Sequence, residues 1–248
     1  MRGDLTTEQL AERFLDLRQI QNLMGKYMFS LMICGEKTVY RDFWTRSMPD
    51  PALGFNNGWY RGEEAITGYY SAVAARTSKA SGVIRDVFPE KLGALSEEEL
   101  YGTGRMNLRP LTNPIVEIAG DGKTAKGFWQ VMGVDNEITE KGPLSTLRWG
   151  YVGADFVLED DEWRIWHLLM VDDITAPVGS DWAAPADYPA LPDFAALRGD
   201  DLPAPTEPAE LFPRYTPARP FTPPIPAPVP YETFSETFGY DSYQGGQI

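Results

Sequence analysis

The only histidine of the chain closes the stretch Asp160–His167 (Asp-Asp-Glu-Trp-Arg-Ile-Trp-His), which ends a run of strand-like segments. Its acidic start predicts a hairpin turn, because Asp and Glu are poor strand formers whereas Trp, Ile and Val favour pleated surfaces. Alternation after the turn predicts a strand with one face made of Trp163, Ile165, His167 and Leu169. The other face would carry Arg164, Trp166, Leu168 and Met170. We therefore expect an imidazole among large apolar side chains, where it can serve acid–base chemistry or a structural hydrogen bond.

The segments before this strand divide into helices and then strands. Apolar residues at helical spacing predict a first helix that begins at a capping box of Thr6 and Gln9 and ends near Gly35. Two further helices are expected, over Glu36–Trp44 and from Glu63 through Val73. A period of two then predicts the strands Arg105–Leu111, Ile115–Ala119, Ala125–Val134 and Leu147–Leu158. Helices followed by an antiparallel meander predict the α+β class, with the helices packed on one sheet face.

The bulk composition is that of an ordinary globular protein, long enough at 248 residues for one large domain or two small ones. Its net charge of −14 and its isoelectric point near 4.5 argue against nucleic acid or an anionic membrane as partner. No apolar run resembles a signal peptide or reaches the length needed to span a bilayer. We therefore expect a soluble, cytoplasmic protein whose partner is a small hydrophobic or aromatic substrate.

The chain offers few ligands for a metal or cofactor. The chain has one histidine and therefore lacks the H-x-H or H-x-x-x-H pair that would anchor a metal. Its single cysteine, Cys34, excludes a thiolate zinc cluster and an internal disulfide. The Gly-Asp-Gly at 120–122 lacks the context of a phosphate loop and predicts a hairpin turn. We expect chemistry without a metal or cofactor.

The prolines divide the chain into two parts. Of the 21 prolines, 15 fall between Pro177 and Pro230, which predicts a compact domain over 1–178 and an extended tail over 179–248. The tail also carries many aromatic residues, which solvated linkers lack. We expect it to lie along its own domain or to wrap a neighbouring subunit, giving a homodimer or homotrimer in which it covers the pocket. The alternative is a free Pro-rich ligand for another domain.

Four pieces of the sequence carry a resemblance that covers roughly residues 8–178. They are Ile20…Leu23…Lys26-Tyr27, Trp59–Ile66, Leu111–Ala125 and Asp161–Ile165. In this order they resemble the nuclear transport factor 2-like superfamily, in its SnoaL-like branch. The resemblance implies a cone, in which a curved antiparallel sheet wraps N-terminal helices around an apolar pocket. The superfamily includes polyketide cyclases, steroid isomerases, dehydratases, a lyase that deformylates lignin-derived diols, and plain binding proteins, so the fold does not settle the function.

The carry-over of functional residues from these relatives is partial. Tyr27 lies where dehydratases of the superfamily place a pocket tyrosine, but Met32 stands where they commonly have a catalytic aspartate. Arg109 occupies the position where relatives often carry a histidine. A guanidinium stays protonated and cannot act as a base, so the dehydratase mechanism cannot simply be copied.

Three residues are the candidate catalytic groups: His167 for acid–base transfer, Tyr27 as its partner, and Arg109 to stabilise a phenolate or oxyanion. Each has a structural alternative, namely a buried histidine, a packed tyrosine and a surface charge. Candidate substrate contacts, which are also typical packing residues, are Trp59, Tyr60, Tyr101, Asn107, Trp129 and Trp149.

These residues and the resemblance together favour a cofactor-independent lyase. It would eliminate water from a hydrophobic hydroxylated aromatic compound through a quinone methide, with or without loss of formaldehyde. Two alternatives stay open: an isomerase or cyclase of a steroid or polyketide, which moves a proton without losing a group, and a non-catalytic binding or assembly protein.

Overall fold

The computed structural model describes residues 5–139, 142–179, 202–215, 217–220 and 223–244. The helices are α1 (Thr7–Met32), α2 (Val39–Phe43), α3 (Gly62–Val87), α4 (Pro89–Leu92) and α5 (Glu97–Leu100). The strands are β1 (Ala52–Phe55), β2 (Gly58–Arg61), β3 (Met106–Leu108), β4 (Leu111–Ile118), β5 (Thr124–Thr139), β6 (Gly142–Glu159), β7 (Glu162–Pro177) and β8 (Glu207–Pro208). Two 3₁₀ turns follow at Phe234–Glu236 and Tyr240–Ser242.

The predicted start of the first helix is confirmed. Thr6 Oγ1 accepts from the Gln9 amide at 3.2 Å, and the Gln9 side chain accepts from the Thr6 amide at 2.9 Å. The helix ends at Met32, and Cys34 then adopts a positive φ of 60° before Gly35. The second helix is shorter than predicted and the third is longer, because α3 continues from the sheet to Val87.

The sheet has the order β3-β5-β6-β7-β1-β2-β8, with β4 also paired to β5. All of its pairs are antiparallel except β1 with β7, so the α+β class predicted from the sequence is confirmed. Helices α1 and α3 cover one face of the curved sheet, called here the inner face. The described residues of the Pro-rich tail lie against the opposite, outer face.

A β-bulge in β7 makes the predicted alternation wrong. Asp155 pairs with His167, but the next residue, Phe156, pairs with Ile165, so Trp166 is an extra residue without a partner on β6. Because one extra residue exchanges the two faces, Ile165 and Leu168 both belong to the inner apolar cluster. His167 therefore lies on the outer face, beside its partner Asp155.

The described tail residues are held on the outer face by apolar side chains and backbone pairing. Strand β8 pairs with β2 at Trp59, and the cluster under the tail includes Leu211, Phe212, Ile225, Tyr240 and Tyr243. The Tyr240 ring lies on Gly153, where a Cβ would be only 2.3 Å from it. The domain limits 1–178 and 179–248 stay a prediction, and residues 180–201 lie outside the described residues. Among the described helices, none combines the length and apolar character needed to cross a membrane.

Candidate functional site

Two tyrosine hydroxyls meet on the inner face, where α1 and α3 approach the sheet. Tyr27 of α1 and Tyr70 of α3 are both buried, and their hydroxyl oxygens are 2.8 Å apart. The Tyr27 hydroxyl also donates to Met170 Sδ at 3.7 Å. A phenol has one hydrogen to donate, so when that of Tyr27 points to the sulfur, Tyr70 must be the donor to Tyr27.

This hydroxyl pair stays protonated at neutral pH. Burial raises the pKa of Tyr27, although the hydrogen bond from Tyr70 opposes the shift. Burial and the neighbouring Tyr27 raise the pKa of Tyr70 as well. The indole N–H of Trp44 is buried and makes no well-formed hydrogen bond to another described residue. It lies close enough to the Tyr70 hydroxyl to lower the pKa of Tyr70. When Tyr70 donates to it, Tyr27 is the terminal donor, and its proton points at a weak sulfur acceptor.

A charged network lies on the inner face beyond the tyrosines. Asp135 accepts from Arg109 Nη2 at 2.6 Å and from Arg148 Nε at 2.7 Å, and Arg148 also pairs with Asp172. Gly133 makes room for Arg109, since a Cβ there would lie 2.8 Å from the arginine Cγ. Burial alone would raise the pKa of Asp135, but the two arginines outweigh it and hold the pKa below its usual value. Asp135 is therefore an ionised, weak base.

Tyr69 connects the tyrosine pair to the charged network. Its ring lies 5.0 Å from that of Phe55, 4.9 Å from Tyr60 and 5.6 Å from Tyr70, measured between centroids. Burial raises the pKa of Tyr69, and among the charges that oppose this shift Arg109 has the largest effect. The side chain of Tyr69 is partly exposed. Its hydroxyl has no hydrogen-bond partner among the described residues.

The structure brings together only part of the predicted site. Tyr27, Tyr60 and Trp129 belong to the inner cluster, and Arg109 and Asn107 lie at its charged end, since Asn107 pairs opposite Asp135. The predicted residues that lie elsewhere are Trp59, Trp149 and His167, on the outer face, and Tyr101, after α5. The Tyr101 hydroxyl donates to Glu36 Oε2 at 3.2 Å.

Sequence reasoning missed Trp44, Tyr69, Tyr70 and Asp135. The adjacent pair Tyr69-Tyr70 in an amphipathic helix was the available signal for two of them. Asp135 has no such signal, because an aspartate near a strand end usually faces solvent.

His167 belongs to a second constellation, on the outer face. Its Nδ1 is 2.9 Å from Asp155 Oδ2 and 3.4 Å from Asp241 Oδ1. Lys126 pairs with the other oxygen of Asp155, and Arg61 Nη1 lies 3.3 Å from Asp241 Oδ2. We call these five residues the outer polar row. The backbone amide of Tyr240 also donates to Asp155, at 2.7 Å.

Asp155, His167 and Asp241 could in principle hold a metal, since one ligand atom of each lies within 4.8 Å of the others. These ligand atoms already have partners, because Lys126 pairs with Asp155 and Arg61 is shared by Asp241 and Glu207. A divalent cation would have to displace these contacts to bind.

No protein-family profile matches the sequence, and no curated protein sequence matches it. Several solved structures are similar in fold. A hexachlorocyclohexane dehydrochlorinase (LinA type 3) from Novosphingobium barchaimii shares 16% identity over 71% of this chain and 99% of its own, with a TM-score of 0.48. A nuclear transport factor 2-like protein with a cystatin-like fold from Novosphingobium aromaticivorans shares 15% identity over 68% and 92%, with a TM-score of 0.42.

A third similar structure is a protein of unknown function from Mycobacterium tuberculosis, at 20% identity over 75% of this chain and 88% of its own, with a TM-score of 0.45. The second structure carries the fold name that the sequence resemblance predicted. With identities of 20% or less and TM-scores under 0.5, these likenesses concern the fold and carry no argument about a reaction.

Proposed function

We propose that the protein is a cofactor-independent lyase that eliminates water from a hydrophobic, hydroxylated aromatic compound bound on the inner face. The observation that carries this proposal is the hydroxyl pair of Tyr27 and Tyr70, 2.8 Å apart and buried, with the Arg109 guanidinium at the other end of the same interior. The ring of Tyr69 lies beside that of Tyr70, and the ring of Tyr60 lies beside that of Tyr69, so these rings suit a flat aromatic substrate.

The two ends assign two roles. Arg109 attracts the substrate phenol and lowers its pKa, so that the phenol releases its proton to solvent and remains as a phenolate. The phenolate electrons then expel a benzylic hydroxyl, which takes the proton of Tyr27 and leaves as water, giving a quinone methide. Solvent returns the proton to Tyr27.

His167 has no role in this proposal. It lies on the outer face with Asp155, whereas Tyr27 and Arg109 are on the inner face, so the sheet separates them. Loss of formaldehyde after water would require a base for the second step. The inner carboxylates Asp135 and Asp172 are held by arginines, so we propose only the loss of water as the reaction of this site.

A binding protein is the second candidate, and the same ion pairs favour it. Among the described residues, the carboxylates at the inner site are each engaged by an arginine, which leaves no free carboxylate base. An isomerase or cyclase would also use this interior, but its product would have the mass of its substrate.

Mass spectrometry after mixing the purified protein with hydroxylated phenolic dimers, steroids and polyketide-like phenols, without added cofactor, tests the proposal. We expect loss of one water from a phenolic substrate. Tyr27→Phe should lower turnover by about 10²–10⁴-fold, because it removes the proton donor. The matched control is Tyr151→Phe, a buried tyrosine on the outer face, which should keep full turnover.

Full turnover by Tyr27→Phe would refute the assigned role. Binding of a phenol without any change of mass would refute the lyase and favour an isomerase or a binding protein, which product chromatography then separates. If Tyr27→Phe proves unstable, Arg109→Gln provides a second test, since it should weaken binding of the phenolate most strongly at a pH where the free phenol is ionised.

A further inference from the structure

The described tail is fixed to the end of β7 at two points. At the first point, the Asn56 side chain donates to the Asp172 carbonyl at 2.7 Å and to the Phe212 carbonyl at 2.8 Å. At the second point, the Tyr215 amide donates at 2.7 Å to the carbonyl of the residue that follows Asp172. Arg214 lies between these two points, so the tail holds it beside the part of β7 that carries Asp172.

Asp172 belongs to a row of alternating charges on the inner face. Asp135 pairs with Arg109 at 2.6 Å and with Arg148 at 2.7 Å. Arg148 also pairs with Asp172. These four side chains carry two positive and two negative charges, which balance one another. Together with Arg214 at the tail end, we call them the inner charge row.

Arg214 adds a positive charge to this row that no described carboxylate balances. Among the described residues none forms an ion pair with Arg214, and part of its side chain is exposed. Desolvation by the surrounding protein lowers the pKa of Arg214, and the charge of Arg148 adds to this effect although Asp172 opposes it. The guanidinium nevertheless stays protonated at neutral pH. The charge of the next carboxylate, Asp173, acts instead on Tyr151 of the outer face.

The inner charge row acts on a phenol of the protein itself. Tyr69 packs against the rings of Tyr60 and Tyr70, and its hydroxyl has no hydrogen-bond partner among the described residues. The charges of Arg109 and Arg148 both lower the pKa of Tyr69, against the effect of burial. A substrate phenol that lies beside Tyr69 would feel the same charges and would ionise more readily for the same reason.

We propose that Arg214 supplies the net positive charge with which the inner site selects an aromatic substrate in its anionic, phenolate form. Without Arg214 the four other members of the row would be neutral in sum. The whole chain has a net charge of −14 and repels anions in general, so binding an anion requires a local excess of positive charge. This role of Arg214 rests on the proposed function, which puts a phenolate at the row, and it makes the tail a part of the substrate site.

Binding of 4-nitrophenol to the full chain tests the proposal without any turnover. The phenolate of this probe is yellow and the neutral phenol is not, so absorbance measures how much of the bound probe is ionised. Just below the pH at which the free probe ionises, mixing with the unchanged chain should increase the absorbance of the phenolate, because a positive site lowers the pKa of a bound phenol.

Arg214→Gln should weaken binding of 4-nitrophenolate by about tenfold, which is the effect of one unit charge about 10 Å away at an effective dielectric constant of about 20. Arg214→Lys keeps the charge and should keep most of the affinity. The matched control is Arg219→Gln, which removes the same charge from another tail arginine, paired with Glu210 at 3.7 Å, and should leave binding unchanged.

A neutral probe of similar shape, 4-nitroanisole, shows whether the interior of the variant is intact. It should bind equally well to the unchanged chain and to Arg214→Gln, since it carries no charge for the row to attract. An equal loss of both probes in Arg214→Gln would overturn the proposal, because the charge would then not be the reason.

Three other results would also overturn the proposal: full affinity of Arg214→Gln for the phenolate, an equal loss in Arg219→Gln, and no binding of the phenolate by the unchanged chain. Phenolate binding that depends on Arg214, without loss of water from any phenol, would refute the lyase and leave the role of Arg214 standing. Loss of water by the unchanged chain, with full phenolate binding by Arg214→Gln, would refute the role of Arg214 alone.

Discussion

The substitution Asp155→Asn removes the negative charge at the centre of the outer polar row and keeps the size of the side chain. Asp155 is fully buried and accepts hydrogen bonds from Lys126, from His167 Nδ1 and from the Tyr240 amide. An asparagine has one oxygen left to accept, so at least one donor loses its partner. The buried Lys126 ammonium would keep the rings of the tail, of which Phe238 is 4.5 Å away, and the charge of Asp241.

The magnitude follows from the burial of this pair. Removing one partner of a buried ion pair costs about 3–5 kcal/mol, because the other charge remains uncompensated in a poorly solvated place. We expect the lower end, about 3 kcal/mol, since the asparagine oxygen can still accept from one donor and the aromatic rings stabilise the ammonium of Lys126. That loss is a large part of the total stability of a domain, about 5–15 kcal/mol.

Urea denaturation followed by circular dichroism measures the effect. With a slope of about 1–3 kcal/mol per molar urea, the midpoint should fall by about 1 M or more. The control is Glu207→Gln, which breaks the exposed pair with Arg61 and should cost about 0–1 kcal/mol. The reasoning is refuted if both variants lose the same small amount. Adding Lys126→Met to Asp155→Asn should recover stability, because the unpaired charge is then gone.

Two further predictions concern the tail and the interior. Gly153→Ala should loosen the turn at Tyr240, because the added Cβ would lie 2.3 Å from the Tyr240 ring. Limited proteolysis should then cleave the tail faster than in the unchanged chain. An unchanged rate of cleavage would contradict this contact. Burial raises the pKa of Tyr27 and Tyr70 above their usual 10.0, so the folded state holds their protons longer than the unfolded chain does. The stability that this difference contributes is therefore present below pH 10 and is lost as the pH rises above 10. Unfolding at alkaline pH, followed by tyrosinate absorbance, measures this loss. A free energy of unfolding that stays constant past pH 11 would exclude the contribution.

Part of the candidate site was predictable from the sequence. Tyr27 lies on the apolar stripe of a long helix with a clear capping box, and that stripe must face the sheet. Asn107 and Arg109 both belong to the strand predicted over Arg105–Leu111, and they lie together at the charged end although Arg109 follows the end of β3. Neither inference required knowledge of a distant part of the chain.

The partners of these residues were not predictable, because they come from elements far apart in sequence. Tyr70 reaches Tyr27 only when α3 packs beside α1, and Asp135 reaches Arg109 only because Gly133 lets the arginine cross β5. Local patterns describe which face of an element is apolar, and they contain no information on which residue of another element it meets.

The sequence by itself determined the first helix, the long antiparallel strands, the α+β class and the hairpin turn before Trp163, because each depends on local periodicity and turn chemistry. Only the tertiary structure decided which face His167 occupies. Both faces of β7 are buried, one under helices and one under the tail. The strand therefore has no polar face that would show which of its side chains point inward. One extra residue at Trp166 then moves the histidine from the inner face to the outer polar row, at a bulge that alternation cannot reveal.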